Sequence, residues 1–365
     1  MSNQHLSSYM SGRDNNLNLI RFIAATMVLI AHSYTLVLGD SRYEPLSHYL
    51  GSSLGSIAVD VFFFISGLLI TASINYRPQL NTFFAARALR IFPALLVANF
   101  LCVFVVGIAF TSQSLGQYLF NWETAEFLLK NNTLLLGLAY DLPGVFVDLP
   151  YSGTINGSLW TLPHELRMYI FIAIAYYICA YIEVRFRYAI LHYVCPLIVL
   201  LAFAALVNNE YNTVKIFEGK KWLKLLYMFF LGASLFLWRD RIVLKSSLFF
   251  MCCIFLIIGV AYPTIFRPLY FLTLAYITLY LAYVPGGFIR EFNRLGDYSY
   301  GMYIFAFPIQ QMLVSSIAGI SVNGLILTSF AATLALAIPS WFFIEKPSLN
   351  QKKQIAGLIS KLTRL

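Results

Sequence analysis

Arg21 and His32 sit near the two ends of an otherwise apolar run, NLIRFIAATMVLIAHSY. Eleven positions is close to three helical turns, so the two side chains share one helix face, about 16 Å apart along the axis. Histidine titrates near neutral pH and suits general acid–base work. Asp60 in DVFFFISGLLI and Glu165 in SLWTLPHELRMY are carboxylates of the kind that orient an imidazole and stabilise the imidazolium it becomes. Arg87 and Arg90, three apart in RALRIFP, are neighbours on a helix surface. Their planar donor forks match phosphate or pyrophosphate. The same residues have plainer uses: polar ties between helices for His32, Asp60 and Glu165, and cytoplasmic anchoring for the arginines.

The elements that carry these groups are apolar. Hydrophobic residues make up 59% of the 365 and charged residues 11%, less than half the usual charged share. A soluble domain is excluded on that ground. Ten runs approach the roughly 20 residues a helix needs to cross a bilayer: 18–38, 54–74, 91–110, 158–181, 190–207, 222–238, 248–262, 268–284, 298–318 and 324–344. The expected fold is therefore all-α, a polytopic membrane bundle of about ten transmembrane helices. Segment 127–138 is apolar but too short to cross, and reads as a re-entrant or interfacial element within the long outer segment 111–157.

Basic residues set the orientation, because Lys and Arg in short loops are retained in the cytoplasm. With the N-terminus inside, seventeen of the 25 Lys and Arg fall on the cytoplasmic side, seven fall outside, and Arg167 lies within a span. Both termini are thus expected in the cytoplasm, with residues 1–17 and 348–365 as tails around a membrane domain at 18–347. The net charge of +9 reads as this topology signal. No basic stretch with interleaved aromatics occurs in a water-exposed context, so no nucleic-acid partner is expected. No cleavable leader is expected either, since the first run is longer than a signal core. The five cysteines lie in or beside apolar runs as small hydrophobes, and no CxxC or HExxH pattern offers a metal site.

Depth ties three chemistries together. Counted from the outer end of each run, His32 and Asp60 lie about six residues in and Glu165 about seven, all roughly 10 Å below the outer surface. Ionisable side chains at membrane depth are expensive and are functional hypotheses by default. Arg87 and Arg90 fall at the opposite, inner end.

The motifs DVFFFISGLLI, RALRIFP, SLWTLPHELRMY, SYGMYIFAFP and FIEKP, with Arg21 and His32 separated by ten residues, resemble the acyltransferase-3 family of bacterial integral membrane acyltransferases. The likeness runs from about Leu17 to Pro347. It implies a multi-pass enzyme of the bacterial inner membrane that moves an acyl group, commonly acetyl from acetyl-CoA, onto a hydroxyl of a surface or secreted glycan. Lipopolysaccharide O-antigen and exopolysaccharide are the implied acceptor classes, lipid-linked or free. Carried over residue by residue, the family pattern assigns His32 to catalysis and Arg21 to its partner position on the donor side. It assigns Arg87 and Arg90 to donor handling and Glu165 to the acceptor or catalytic region. Asp60 matches the acidic residue before the FFxISG run, and Gly67 the glycine that lets helices approach closely. One departure stands out: many members carry histidine where this chain has Ala306, so the SYGMYIFAFP block receives no catalytic role.

The residues fit that chemistry. A sugar hydroxyl attacking a thioester needs a positioned base, which His32 supplies, with Asp60 or Glu165 as its carboxylate. The competing class is a multi-span glycan or lipid-linked sugar transporter, which would also carry intramembrane His, Asp and Glu. Transporters often show inverted repeats with matching broken helices, and no matching halves are found in this sequence.

Overall fold

The computed structural model describes residues 5–10, 12, 14–186, 190–211 and 220–362. Arg13, Arg187, Lys215 and Arg364 of the orientation count lie outside these residues. Twelve helices matter for the site: α1 Leu17–Leu38, α2 Leu54–Tyr76, α3 Leu80–Phe110, α4 Trp122–Thr133, α5 Leu162–Phe186, α6 Leu191–Tyr211, α7 Lys220–Leu237, α8 Ser246–Ala261, α9 Pro263–Tyr283, α10 Ser299–Ser316, α11 Val322–Ser340 and α12 Lys352–Leu362. Among the described residues there is no strand, only three isolated bridges. Each of the ten expected runs is helical, and among the described residues seven helices are long and apolar enough to cross a membrane. The other three fall short for visible reasons. Helix α7 opens on Lys220, Lys221 and Lys224, α8 has 16 residues, and α10 has 18 with Gln310 and Gln311 among them.

The chain divides into two compact units, one of residues 1–21, 57–78 and 164–296, the other of 22–56, 79–163 and 297–365. In the first unit, α2 and α7 meet backbone to backbone. A Cβ on Gly67 would stand 1.8 Å from the Phe229 carbonyl oxygen, and one on Gly232 would stand 2.1 Å from that of Phe64. No side chain larger than hydrogen fits either place, so the close approach expected at Gly67 is real. Seven residues before Gly67, Asp60 pairs with Lys224, itself eight residues before Gly232. Both lie N-terminal of the crossing, so the two helices run in the same direction. Helix α9 adds Tyr270, whose hydroxyl donates to Asp60 at 2.6 Å.

In the second unit, α10 is the central helix, with Ser299 to Pro308 almost continuously buried. It runs parallel to α1. Gln310 bonds to Leu29 and Ser33, while Val37 and Val314 flank one cluster nearer both C-termini. Helix α11 runs opposite to α1, since Phe22 meets Phe330 and Leu36 meets Leu325. Gly301 admits the close pass of α11, where a Cβ would lie 2.9 Å from Ala337. Helix α1 ends at Gly39, whose φ of +79° is a left-handed cap that costs glycine little.

Helix α3 carries a π segment at Cys102–Gly107. Such a bulge frees a carbonyl from the helical ladder, and the Tyr118 hydroxyl takes that of Val103 at 2.9 Å. Burial also pushes the Tyr118 phenol above its ordinary pKa. Around it a core of Val106, Phe127, Leu142, Val145, Phe146 and Ile155 gives segment 111–157 a folded interior of its own. The expected element at 127–138 is two things. Helix α4 stops at Thr133, Leu134 takes φ +59°, and Leu135 and Leu136 follow outside the helix with 74% and 61% exposure. Asn131 turns the chain by accepting from the Ala139 amide and donating to its carbonyl, which no apolar-run count can register. The C-terminal stretch read as a tail contains α12, which packs on α3.

Candidate functional site

His32 follows buried Ala31 in the C-terminal half of α1 and is itself partly buried. Its ring stands edge-on to Phe307 of α10, with centroids 5.0 Å apart at 77°. Phe307 can sit there because residue 157 is glycine, where a Cβ would come within 2.7 Å of the ring. The segment around Gly157 is tied to α10 by side chains. Asn156 donates to the Ile304 carbonyl at 2.9 Å, and Tyr303 donates to that of Ser158 at 2.7 Å. Thr161 shares a further hydrogen bond of 2.8 Å with Tyr303. One turn along, Gln310 Nε2 reaches the Leu29 carbonyl at 2.8 Å and Ser33 Oγ at 2.7 Å, so α1 is registered on α10 on both sides of the histidine. His32 Nδ1 is buried and has no hydrogen-bond partner among the described residues.

The two arginines of RALRIFP have different fates. Arg90 donates to Asp297 Oδ2 at 2.7 Å and to Glu345 Oε2 at 3.1 Å, and its side chain is 14% exposed. Ser299 donates to the other oxygen of Asp297, and Ser340 to that of Glu345 at 3.1 Å. The guanidinium also lies over the rings of Tyr300 and Trp341, at 5.6 and 5.9 Å. A π segment at Trp341–Glu345 sets the Glu345 carboxylate inward. RALRIFP, the start of α10 and FIEKP are therefore joined by an ion-pair network that includes Arg90. Its fork is engaged on two sides by carboxylates. Arg87, one turn earlier, is partly exposed.

The remaining expected residues belong to the first unit. Asp60 is 1% exposed, with Lys224 Nζ at 3.0 Å and the Tyr270 hydroxyl as partners. Glu165 accepts from Tyr169, one turn along α5. Arg21 is partly exposed in the N-terminal part of α1. The structure thus joins Arg90 to two carboxylates, gives Asp60 a cation and Glu165 a phenol, and sets His32 beside Phe307. Sequence reasoning missed Gln310, Phe307, Tyr303, Asp297 and the ionic use of Glu345. Two adjacent glutamines inside an apolar helix were the available signal, because uncharged amides at membrane depth also demand partners.

A family profile described as an acyltransferase domain matches residues 14–344. The chain is 29% identical to a protein named O-acetyl transferase from Shigella phage Sf6, over 352 residues that cover 93% of this chain and 97% of that one. It is 34% identical to Nodulation protein 10 of Rhizobium leguminosarum bv. viciae over 173 residues, 46% of this chain and 45% of that protein. No solved structure matches the chain at comparable significance.

Proposed function

Because the chain belongs to the acyltransferase-3 family, and is an acyltransferase by that membership, we propose that it is a membrane O-acetyltransferase that moves acetyl from cytoplasmic acetyl-CoA to a hydroxyl of a glycan. The observation that carries this reading is the match to a protein named O-acetyl transferase over 93% of the chain. His32 serves as base. It takes the hydroxyl proton as the oxygen attacks the thioester carbonyl, the C–S bond breaks, and the leaving thiolate recovers the proton, giving an ester and free CoA. An imidazole set edge-on to Phe307, on a residue that is only partly buried, supports that role.

Arg87 handles the phosphates of the donor. Arg90, with its fork on Asp297 and Glu345, supports that end by fixing α3 against α10 and the FIEKP turn. Arg21 stands on the donor side of His32 along the same helix. Glu165 and Asp60 are the carboxylates of the reaction by family resemblance. For Asp60, the pairing with Lys224 and Tyr270 favours a positioning role.

The protein spans the bacterial inner membrane ten times with both termini in the cytoplasm. Helix direction supports this count. Between the parallel helices α2 and α7, three single crossings by α3, α5 and α6 preserve the direction, and a fourth by α4 would reverse it. Helix α4, at 12 residues, extends about 18 Å, short of a bilayer core of about 30 Å. Helices α7 and α10 run alongside spanning helices. Helix α8 forms a hairpin with α9, Ser246 against Tyr280 at one end and Gly259 against Phe266 at the other.

The test is direct: purified protein in proteoliposomes, given radiolabelled acetyl-CoA and cell-surface polysaccharide, should place label in the polysaccharide. A protein that moves the glycan across the bilayer without labelling it would be the transporter instead.

A further inference from the structure

Helix α3 ends at Phe110, and the chain then turns back along it. The Tyr118 hydroxyl that meets the Val103 carbonyl has its room from Gly107, where a Cβ would stand 1.7 Å from the same hydroxyl. Farther on, Asn99 Nδ2 donates to Asn132 Oδ1 at 2.7 Å. Val103 lies seven residues before the end of α3 and Asn99 eleven, about 10 and 16 Å along the helix. Helix α4 therefore runs antiparallel to α3, and its C-terminal end is level with Asn99. In the proposed topology Arg90 marks the cytoplasmic end of the apolar part of α3, and Asn99 stands nine residues beyond it, about 13 Å. Asn99 is thus close to the middle of a bilayer core of about 30 Å, and α4 descends to that level from the outer side.

The surroundings at this depth are legible on α3. Leu96, Phe100, Phe104 and Ile108 recur every four residues and are exposed, a stripe of large apolar side chains that in a spanning helix faces acyl chains. Asn99, Val103 and Val106 on the adjoining side are buried. Helix α4 has three faces. Thr124, Phe127 and Asn131 are buried. Trp122, Ala125 and Leu129 form an exposed apolar stripe. Glu123, Glu126 and Lys130 form the third face, with Glu123 exposed and Glu126 paired with Lys130, their side chains 32% and 33% exposed. Spacings of three and four residues keep each set on one side of the helix. Lipid on every side would leave three ionisable groups in hydrocarbon, which is expensive. Past Thr133 the chain leaves the helix, and such backbone at membrane depth is tolerated only where protein covers it or water reaches it.

We propose that α4 is a half-membrane helix standing between two media. Acyl chains of the outer leaflet meet Trp122, Ala125 and Leu129, while Glu123, Glu126 and Lys130 line a water-filled vestibule open to the outside. The inference goes beyond the proposed activity and rests only on the proposed orientation of α3. A polar solute arriving from outside then meets water down to the level of Asn99.

The test is spin-label accessibility in a chain whose five cysteines are replaced by alanine. Ala125→Cys, Leu129→Cys, Glu126→Cys and Lys130→Cys are each labelled with a nitroxide in detergent, checked by elution and reconstituted in phosphatidylcholine. Nitroxides at 125 and 129 should collide with oxygen in preference to the polar complex nickel ethylenediaminediacetate, and the one at 129 should report the greater depth. Those at 126 and 130 should collide with the nickel complex about tenfold more often than the one at 129, because hydrocarbon excludes a polar solute. Unlabelled Lys130→Cys should react with a cationic, impermeant thiol reagent from outside intact cells. Equal nickel accessibility on all faces would place α4 in water above the bilayer and overturn the inference. Oxygen preference at 126 and 130 would overturn it by removing the vestibule, and a shallower label at 129 than at 125 by removing the descent. Reaction of Lys130→Cys from the cytoplasmic side alone would overturn the inference together with the ten-crossing orientation. No readout uses acyl transfer, so this arrangement and the activity stand or fall separately.

Discussion

Arg90→Ala should act on the fold before it acts on the donor. The substitution leaves the Asp297 and Glu345 carboxylates, with side chains 9% and 1% exposed, turned toward an empty volume. Removing one partner of a buried charge set costs about 3–5 kcal/mol, because the charge left behind is uncompensated. Two features pull the figure toward the lower half. Ser299 and Ser340 each keep a hydrogen bond on one carboxylate, and such bonds to charged groups are worth about 1.5–3 kcal/mol. We expect a loss of about 3–4 kcal/mol, measured by reversible unfolding in mixed micelles. Adding Asp297→Asn and Glu345→Gln to that background removes the orphaned charge and should recover about 2 kcal/mol of it. Arg90→Lys should recover less than half, since one ammonium cannot span two carboxylates as a planar fork does. Binding of CoA to the folded fraction should change little in Arg90→Ala and fall by about 1–3 kcal/mol in Arg87→Ala. The reasoning is refuted if Arg90→Ala unfolds like the wild type while its CoA affinity drops tenfold, for the guanidinium would then belong to the donor.

Gly67→Ala should abolish folded protein in detergent, because its Cβ would overlap the Phe229 carbonyl, whereas Gly116→Ala, with open space around it, should express normally. Normal elution of Gly67→Ala would mean that α2 and α7 are not in backbone contact. Lys224→Met should destabilise by about 3–5 kcal/mol, and Asp60→Leu/Lys224→Met should restore most of that stability. If the restored double variant also regains acyl transfer, Asp60 is a positioning residue; if it stays inactive, the carboxylate takes part in the reaction. For topology, single cysteines placed in loops 40–53 and 111–157 should react with an impermeant thiol reagent from outside intact cells, and one at Arg185 should not. Labelling at Arg185 from outside would sink the ten-crossing arrangement.

How much of this could be read from the chain alone depended on whether a residue's reason is local. The shared face of Arg21 and His32 follows from helical spacing, and the family resemblance marked Gly67 as a place where helices approach closely. The ten helical runs were legible for the same reason: hydropathy is summed over neighbours. The role of Arg90 was not. Its partners lie 207 and 255 residues away, and nothing near RALRIFP distinguishes an arginine aimed at phosphate from one aimed at two carboxylates. Likewise Asp60 and Glu165 looked equivalent by depth, yet one faces Lys224 and the other a tyrosine of its own helix. The π segments escaped too, because the extra residue in each is set by a distant partner, Tyr118 in one case and Arg90 in the other.

The central claim is that a base at position 32 transfers an acyl group to a hydroxyl, and His32→Gln tests it most directly. Glutamine keeps a hydrogen-bonding side chain of similar size and cannot titrate. Measured on reconstituted, folded protein with acetyl-CoA and polysaccharide, the transfer rate should fall about 10²–10⁴-fold, the usual worth of a general base. Elution and CoA affinity should stay at wild-type values. A His32→Gln protein that keeps most of the wild-type rate would make the histidine a structural contact of Phe307 and contradict the account.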